Sequence, residues 1–325
     1  MRKKILLVVA VFLFSVATSF LFVAMAAISK PGPTPAPTSY SYVETKRWDV
    51  PNVNVGRLAV DSSGSIYLAG DMMGGSIRKY SSSGLLDTTW GTNGVAGGQL
   101  KSVIDMGVDA NKNVYIAETE GWTSGRIEKI SPNGKQITNW GQILYQGPTA
   151  LHVQSSGKVS AVFAFGPQPI TWLYTFNSGE TVFAKKEVQG MWGLGFLAVD
   201  SAGNFYLNDG GGKITKRDPG GTNVLATYDV GMINSMNERV VIDSSYNVYV
   251  LKPMGDKDGN IIFKFGKAGN LIIKVKKPAG GPFYDVAVDP SGNNIYLVGV
   301  IDVGQGGIVR LTYKVQAIPK PYLKR

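Results

Sequence analysis

Length, composition and charge exclude several classes of protein before any motif is considered. The chain has 325 residues, of which 44% are hydrophobic, and this excludes wholesale disorder, while its 41 glycines predict many tight turns. It contains no cysteine, so neither a disulfide framework nor a thiolate metal site is possible.

The net charge of +10 is concentrated at the two ends of the chain. Residues 1–30 and 314–325 together carry eight basic residues and no acidic residue, which leaves 25 basic and 23 acidic residues in the body. A body with a net charge of only +2 offers no stripe of positive charge that could follow a phosphate backbone. We therefore predict that the protein does not bind nucleic acid.

The first thirty residues predict export. Three basic residues precede an apolar run from Ile5 to Ile28, which has 24 residues and only three hydroxyl side chains. Such a run can cross a hydrocarbon core of about 30 Å as a helix, and the basic residues before it favour a cytoplasmic start with an extracytoplasmic body. Residues 1–29 are either an uncleaved membrane anchor, as the length of the run favours, or a signal peptide cleaved after Ala26.

The rest of the chain divides into a linker, a repeated region and a tail. Residues 30–41 contain four prolines and predict an extended linker. Residues 42–315 carry the repeat, and residues 316–325 form a basic C-terminal tail that contributes no predicted element.

Residues 42–315 repeat one pattern six times. A short apolar stretch ends in an aspartate, a small polar turn follows, and a second apolar stretch is centred on tyrosine, as in Leu58–Asp61 followed by Ile66–Leu68. The anchor positions are 61, 109, 154, 200, 243 and 289, at intervals of 43 to 48 residues. The copy around Gln154 is degenerate, since it lacks both the aspartate and the tyrosine. A third and a fourth strand pattern complete each copy, separated by a glycine-containing turn.

Four short strands in each repeat of this length are typical of a propeller blade. The sixth copy ends after its third strand, whereas an unpaired strand pattern at Tyr42–Val50 precedes the first copy and carries Trp48, which aligns with Trp90 and Trp140. The sequence therefore predicts an all-β fold, a six-bladed β-propeller of four-stranded antiparallel blades. Residues 42–50 close its last blade, and a hydrophobic N-terminal helix precedes it.

The repeat resembles the NHL-repeat family of propellers. The pattern Val-Asp-x-x-Gly-x-hydrophobic-Tyr-hydrophobic carries the resemblance, which covers residues 42–313. Members of that family bind proteins, RNA or small molecules, and some relatives are enzymes, so the resemblance implies an architecture and leaves the function open.

Candidate chemistry is sparse. The single histidine, His152, lies in the degenerate copy, where it is either a channel-facing acid–base group or a packed substitution. The repeated aspartates lie at turns, and we expect them to accept hydrogen bonds from backbone N–H groups there. We expect the segment Asp256–Asp258 to form a hairpin turn, because it lacks the later glutamate of a calcium loop.

The loops that differ between blades are the candidate ligand site, because a rigid scaffold presents function through its loops. The loops between second and third strands and the links between blades open on one face, here named the loop face. The candidate residues on this face are Asp71, Glu118, Trp122, Met191, Trp192, Asp209, Met232 and Tyr284. Exposed aromatic and methionine side chains suit a protein or glycan partner, although the same side chains could instead plug the channel or pack between blades.

Three functional hypotheses remain open at this point. The first is a non-enzymatic binding or scaffold module, exported or membrane-anchored through the N-terminal segment, with no cofactor. The second is a metal-dependent enzyme of the lactonase or lyase type, in which Asp71, Glu118 and Asp209 hold a divalent cation. The third is a structural component of a cell envelope or surface assembly.

Overall fold

The computed structural model describes residues 38–50, 55–70, 75–120, 124–137, 147–165, 170–177, 183–188, 197–208, 212–231, 239–302 and 305–317. The described residues form six antiparallel sheets of four strands each. Each sheet is one blade, so the predicted six-bladed, all-β propeller is confirmed. The predicted N-terminal helix lies outside the described residues.

The first three blades follow one another along the chain. Blade 1 contains β2 (Val55–Val60), β3 (Ile66–Gly70), β4 (Gly75–Tyr80) and β5 (Val95–Leu100). Blade 2 contains β6 (Ser102–Val108), β7 (Val114–Glu120), β8 (Ser124–Ile130) and β9 (Gln136–Ile137). Blade 3, the degenerate copy, contains β10 (Ala150–Val153), β11 (Val159–Phe165), β12 (Ile170–Phe176) and β13 (Phe183–Val188).

The last three blades include the one that joins the two ends of the chain. Blade 4 contains β14 (Leu197–Val199), β15 (Phe205–Asn208), β16 (Lys213–Arg217) and β17 (Val224–Asp229). Blade 5 contains β18 (Arg239–Ile242), β19 (Val248–Leu251), β20 (Asn260–Phe265) and β21 (Leu271–Lys276). Blade 6 contains β22 (Phe283–Val288), β23 (Asn294–Asp302), β24 (Gln305–Ala317) and, as its fourth strand, β1 (Thr38–Asp49).

Closure of the ring by the N-terminal strand is confirmed. β1 pairs with β24, and Tyr42 joins the apolar cluster between blades 5 and 6. The alignment of Trp48 with Trp90 was only partly right. Both tryptophans pack against a turn glycine of the next blade, Gly84 and Gly134 respectively, but Trp90 lies in a turn that precedes β5. Trp140 lies outside the described residues.

In five of the six blades an aspartate carboxylate accepts hydrogen bonds from the backbone of the first turn, as the sequence predicted. Asp61 Oδ1 accepts hydrogen bonds from the backbone N–H groups of Ser63 and Ser65, both at 2.9 Å. The same arrangement of a turn carboxylate accepting backbone N–H groups recurs at Asp109, Asp200, Asp243 and Asp289. These carboxylates hold turns, so they do not form a ligand ring.

A lysine completes the turn in four blades, which the sequence analysis did not predict. In blade 5 the hydroxyl group of Tyr249 donates a hydrogen bond to Asp243 at 2.9 Å, and Lys264 Nζ lies 5.0 Å from the centre of the tyrosine ring. Equivalent lysines lie over the tyrosine rings at Lys79–Tyr67, Lys129–Tyr115 and Lys216–Tyr206. Burial beside the aspartate raises the pKa of these tyrosines, so they remain neutral donors.

The hydrophobic core lies between neighbouring blades. One apolar cluster joins Tyr67 and Ile77 of blade 1 to Val114 and Ile116 of blade 2. Because each blade buries one face against each neighbour, the blades form a continuous ring and leave only the fourth strands at the rim.

Candidate functional site

Four charged side chains meet inside the central channel at one level of the inner strands. They are Arg57 of blade 1, Asp105 of blade 2, Arg239 of blade 5 and Asp285 of blade 6, here named the channel ring. Each of them precedes the anchor position of its own blade by four residues. Each inner strand runs from the loop face to its first turn on the opposite face. A residue four positions before that turn therefore lies near the loop-face end of the channel.

The two carboxylates of the channel ring each bridge two blades. Asp285 accepts hydrogen bonds from the backbone N–H groups of Val286 in its own blade and Leu58 in blade 1, both at 2.9 Å. Asp105 likewise accepts from Met106 and from Leu151 of blade 3, both at 2.9 Å. Hydrogen bonds of this kind compensate a buried carboxylate for the loss of water.

Arg239 connects these carboxylates across the channel. Its guanidinium nitrogens lie 3.5 Å from Asp105 Oδ2 and 3.4 Å from Asp285 Oδ1, and a third nitrogen donates to the carbonyl of Ile104 at 2.9 Å. Arg57 also donates to the Ile104 carbonyl. Two positive and two negative charges therefore neutralise one another in a site where only 5% of Arg239 and 4% of Asp285 are exposed.

Burial and the neighbouring charges shift the pKa values of the channel ring. Burial, together with the positive charge of Arg239, lowers the pKa of Arg57 to about 10, and the group stays protonated at neutral pH. Burial raises the pKa of Asp285, while Arg239 and Arg57 oppose that rise.

His152 lines the same channel cavity, which has a volume of about 160 Å³. It lies on β10 of the degenerate blade and faces the channel, which is the position that the acid–base interpretation of this residue required. Burial lowers the pKa of its imidazole to about 4. The side chain is therefore neutral at physiological pH, and a neutral imidazole cannot act as a general acid there.

Glu118, one of the predicted loop-face residues, is buried in blade 2 and forms an ion pair with Arg126. Its second oxygen accepts a hydrogen bond at 2.7 Å from the backbone N–H group of Lys101, in the link between blades 1 and 2. Arg126 also pairs with Glu128, and burial beside the charge of Glu118 raises the pKa of Glu128 to about 7. Glu118 is thus part of a three-residue charge cluster that ties the link to the blade.

Tyr284 is half-buried at the start of β22, and its carbonyl accepts a hydrogen bond from Arg57 at 3.4 Å. The other predicted loop-face residues, Asp71, Trp122, Met191, Trp192, Asp209 and Met232, lie outside the described residues. The convergence of Asp71, Glu118 and Asp209 stays a prediction. Within the described ranges, no group of three or more His, Asp or Glu side chains is arranged to hold a metal ion.

The segment Asp256–Asp258 is a hairpin turn, as predicted. Asp256 accepts hydrogen bonds from the backbone N–H groups of Asp258 and Asn260 at 3.0 and 2.9 Å, and Lys274 Nζ lies 3.1 Å from its other oxygen. These bonds lower the pKa of Asp256.

Sequence analysis missed the channel ring, although a signal was present. The four residues share one repeat position but differ in type and charge, so a search for identical residues passes over them. A search for charged residues at a fixed distance before each anchor would have found them.

The fold has a counterpart among solved structures. The chain is similar to the WD40 β-propeller domain of Doa1, with a TM-score of 0.52 and 16% sequence identity, over 80% of this chain and 78% of that chain. At this identity the similarity shows the fold alone. No protein-family model matches the chain, and comparison with curated proteins gives no match. In the part of the chain that the structure describes, we find no helix with the length and apolar character needed to cross a membrane.

Proposed function

We propose that the protein is a binding or scaffold module that contacts a protein or glycan partner through its loop face. The observation that carries this proposal is the channel ring, whose described charged groups are bound to one another and to the backbone. Charged groups held in this way are not poised to react with a substrate. The loop-face segments differ in sequence from blade to blade, and variable loops are where a rigid scaffold binds its partners.

The proposal includes export, with the domain held outside the cytoplasmic membrane by residues 1–29 or released after their cleavage. Its support is the 24-residue apolar run behind three basic residues. We also propose that the repeats are of the NHL type, on the support of the Val-Asp-x-x-Gly-x-hydrophobic-Tyr-hydrophobic pattern.

The contacts of Glu118 argue against the metal-dependent alternative. A carboxylate that binds Arg126 and a backbone N–H group has little capacity left for a cation. Metal analysis of the purified full chain separates the alternatives. A stoichiometric divalent ion that is lost in the Asp71→Asn or Asp209→Asn variant would contradict a pure binding function.

Site-specific photo-crosslinking tests the loop face directly. A photo-reactive amino acid replaces Met191 or Met232 on the loop face, and a matched control carries it at Ser156, an exposed turn residue on the opposite face. We expect both loop-face positions to give the same discrete adduct in the native host and the control to give none. Equal adducts from all three positions, or none from the loop face, would contradict the proposal.

A further inference from the structure

The exposed apolar side chains of the propeller are concentrated on one side of its rim. Eight large hydrophobic side chains are exposed in the described residues, and seven of them lie between the end of a third strand and the first residues of a fourth strand. These seven are Leu85, Leu86, Ile137, Val224, Leu225, Leu271 and Ile272. The fourth strands start at the face that carries the aspartate turns, here named the turn face. The eighth residue, Met254, lies on the loop side of blade 5.

Two of these side chains lie at a local irregularity of their strand. In blade 4 the pairing shifts between Lys216 and Arg217, whose partners are Ala226 and Val224, so Leu225 is the extra residue. In blade 5 the pairing shifts in the same way, and Ile272 is the extra residue between Leu271 and Ile273. A β-bulge redirects the side chain of the extra residue. Leu225 and Ile272 are 53% and 45% exposed.

Both terminal strands of the propeller also meet this side of the rim. β1 begins at Thr38, at the turn-face end of blade 6, and β24 runs antiparallel to it and ends at Ala317. In the sequence, the apolar run Ile5–Ile28 precedes β1, and the proline-containing residues 30–41 overlap the first residues of β1. The first strand of the propeller therefore begins on the turn face, the same face at which the exposed apolar side chains of blades 1, 2, 4 and 5 lie.

We infer that the turn-face rim, with its apolar side chains and the exposed lysines Lys135 and Lys267, rests on the surface of an anionic phospholipid bilayer. This inference rests on the proposed membrane anchoring by residues 1–29. Exposed aliphatic side chains beside lysines are the combination that binds an interface, because apolar burial and attraction to anionic headgroups add together. With the turn face against the bilayer, the loop face points away from it and is open to a partner.

The absence of cysteine makes the orientation measurable with single labels. An environment-sensitive fluorophore is attached to Ile272→Cys or Leu225→Cys in the full chain, which is reconstituted into phosphatidylcholine–phosphatidylglycerol vesicles that carry nitroxide-labelled lipid. The matched control is Met254→Cys, which lies in blade 5 together with Ile272 and is 80% exposed. We expect strong quenching at 225 and 272 and none above background at 254.

A pair of variants tests the apolar contribution. For this test the label is moved to Leu85→Cys, and its quenching reports the equilibrium constant for contact between the rim and the bilayer. The double variant Leu225→Glu with Ile272→Glu should lower that constant by about tenfold for each side chain removed from the interface. Met254→Glu should leave that constant unchanged.

Equal quenching at 272 and 254 would overturn the inference, and so would quenching that is as strong in vesicles of phosphatidylcholine alone. Contacts between labels on different copies of the chain, in place of quenching by lipid, would overturn it as well. Extraction with alkaline carbonate separates this failure from failure of the anchoring. A chain released by carbonate contradicts the anchoring, whereas a retained chain without quenching at 272 contradicts only the rim contact.

Discussion

Blades 2 and 3 are neighbours with the same order of strands, yet they hold their first turn by different means. In blade 2 the carboxylate of Asp109 accepts hydrogen bonds from Asn113 N–H at 2.8 Å and from the hydroxyl group of Tyr115 at 3.0 Å. In blade 3 the equivalent positions are Gln154 and Ser160, so the carboxylate and the phenol ring are both missing.

The backbone of the turn is nevertheless the same in both blades. Asp109 N–H donates to the carbonyl of Asn113 at 3.1 Å, and Gln154 N–H donates to that of Lys158 at 2.9 Å. The fourth residue of the turn has a positive φ in both, 64° at Lys112 and 80° at Gly157. Blade 3 relies on glycine for this conformation, whereas blade 2 tolerates lysine there because the carboxylate network holds the turn.

The two blades also differ inside the channel. Blade 2 supplies Asp105 to the channel ring, while blade 3 has Ala150 at the same position and donates a hydrogen bond to Asp105 from the backbone N–H group of Leu151. Away from the channel, the rings of Phe163 and Tyr174 of blade 3 pack edge to face at 4.6 Å, in the apolar cluster between blades 2 and 3. A propeller blade can therefore lose its polar signature when apolar contacts and a neighbour's carboxylate replace it.

The largest expected effect comes from breaking the channel ring. Arg239→Met leaves Asp105 and Asp285 buried without their shared cation, and we expect a loss of about 3–5 kcal/mol in the free energy of unfolding. Ala150→Ser, at the equivalent position of blade 3, should cost much less. Urea unfolding of both variants measures the difference, and equal losses would contradict the role of the ring.

A pH-dependent effect is expected from blade 3. The folded-state pKa of His152 is about 4, below the ordinary value of 6.5, so the unfolded chain binds more protons between these pH values. Above pH 6.5 the imidazole is neutral in both the folded and the unfolded chain, so it makes stability no more pH-dependent there. As the pH decreases from 6.5 towards 4, the unfolded chain takes up a proton that the folded chain does not, and the free energy of unfolding falls by up to about 3 kcal/mol.

The His152→Gln variant should lose less stability than the parent over this range, as measured by urea unfolding at a series of pH values. Identical pH profiles for the two proteins would show that His152 titrates normally in the folded state.

A smaller effect is expected at the turn carboxylate. Asp109→Ala removes its hydrogen bonds while Lys112 keeps its positive φ, and we expect a cost of about 2 kcal/mol. Gln154→Ala in blade 3 should cost less than about 0.5 kcal/mol, because no carboxylate network is lost there. The midpoints of denaturant unfolding compare the two variants directly, and a larger loss for Gln154→Ala would reverse the interpretation.

The smallest expected effects concern the fourth residue of the turn. Lys112→Gly should stabilise blade 2 by about 0.5–1 kcal/mol, since glycine adopts a positive φ without a steric cost. Gly157→Ala should destabilise blade 3 by a similar amount. Thermal unfolding of both variants checks the opposite signs, and a shared sign would rule out backbone strain as the cause.

The number of blades and the closure of the ring were predictable because both follow from spacing. Anchor positions at regular intervals require equivalent units, and an unpaired strand at Tyr42–Val50 together with an incomplete sixth unit leaves one way to close the ring. The structural role of Asp61 and its counterparts was predictable as well, since a carboxylate at every turn is a local feature.

The channel ring and the lysines over four of the turn tyrosines were not predictable in the same way. Arg239 meets Asp105 and Asp285 only after blades far apart in the sequence have closed into a circle.

The closing strand has a consequence for how the protein is made. Among the strands of the propeller β1 is synthesised first and its partner β24 last, so blade 6 cannot form until all six repeats have been synthesised. Pairing between distant segments is slow, because a long loop must close before any contact forms. Until then the strand from Thr38 to Asp49 has unsatisfied backbone groups that can pair with other chains. Biogenesis of this propeller therefore depends on keeping its first strand apart from other chains until its last strand arrives.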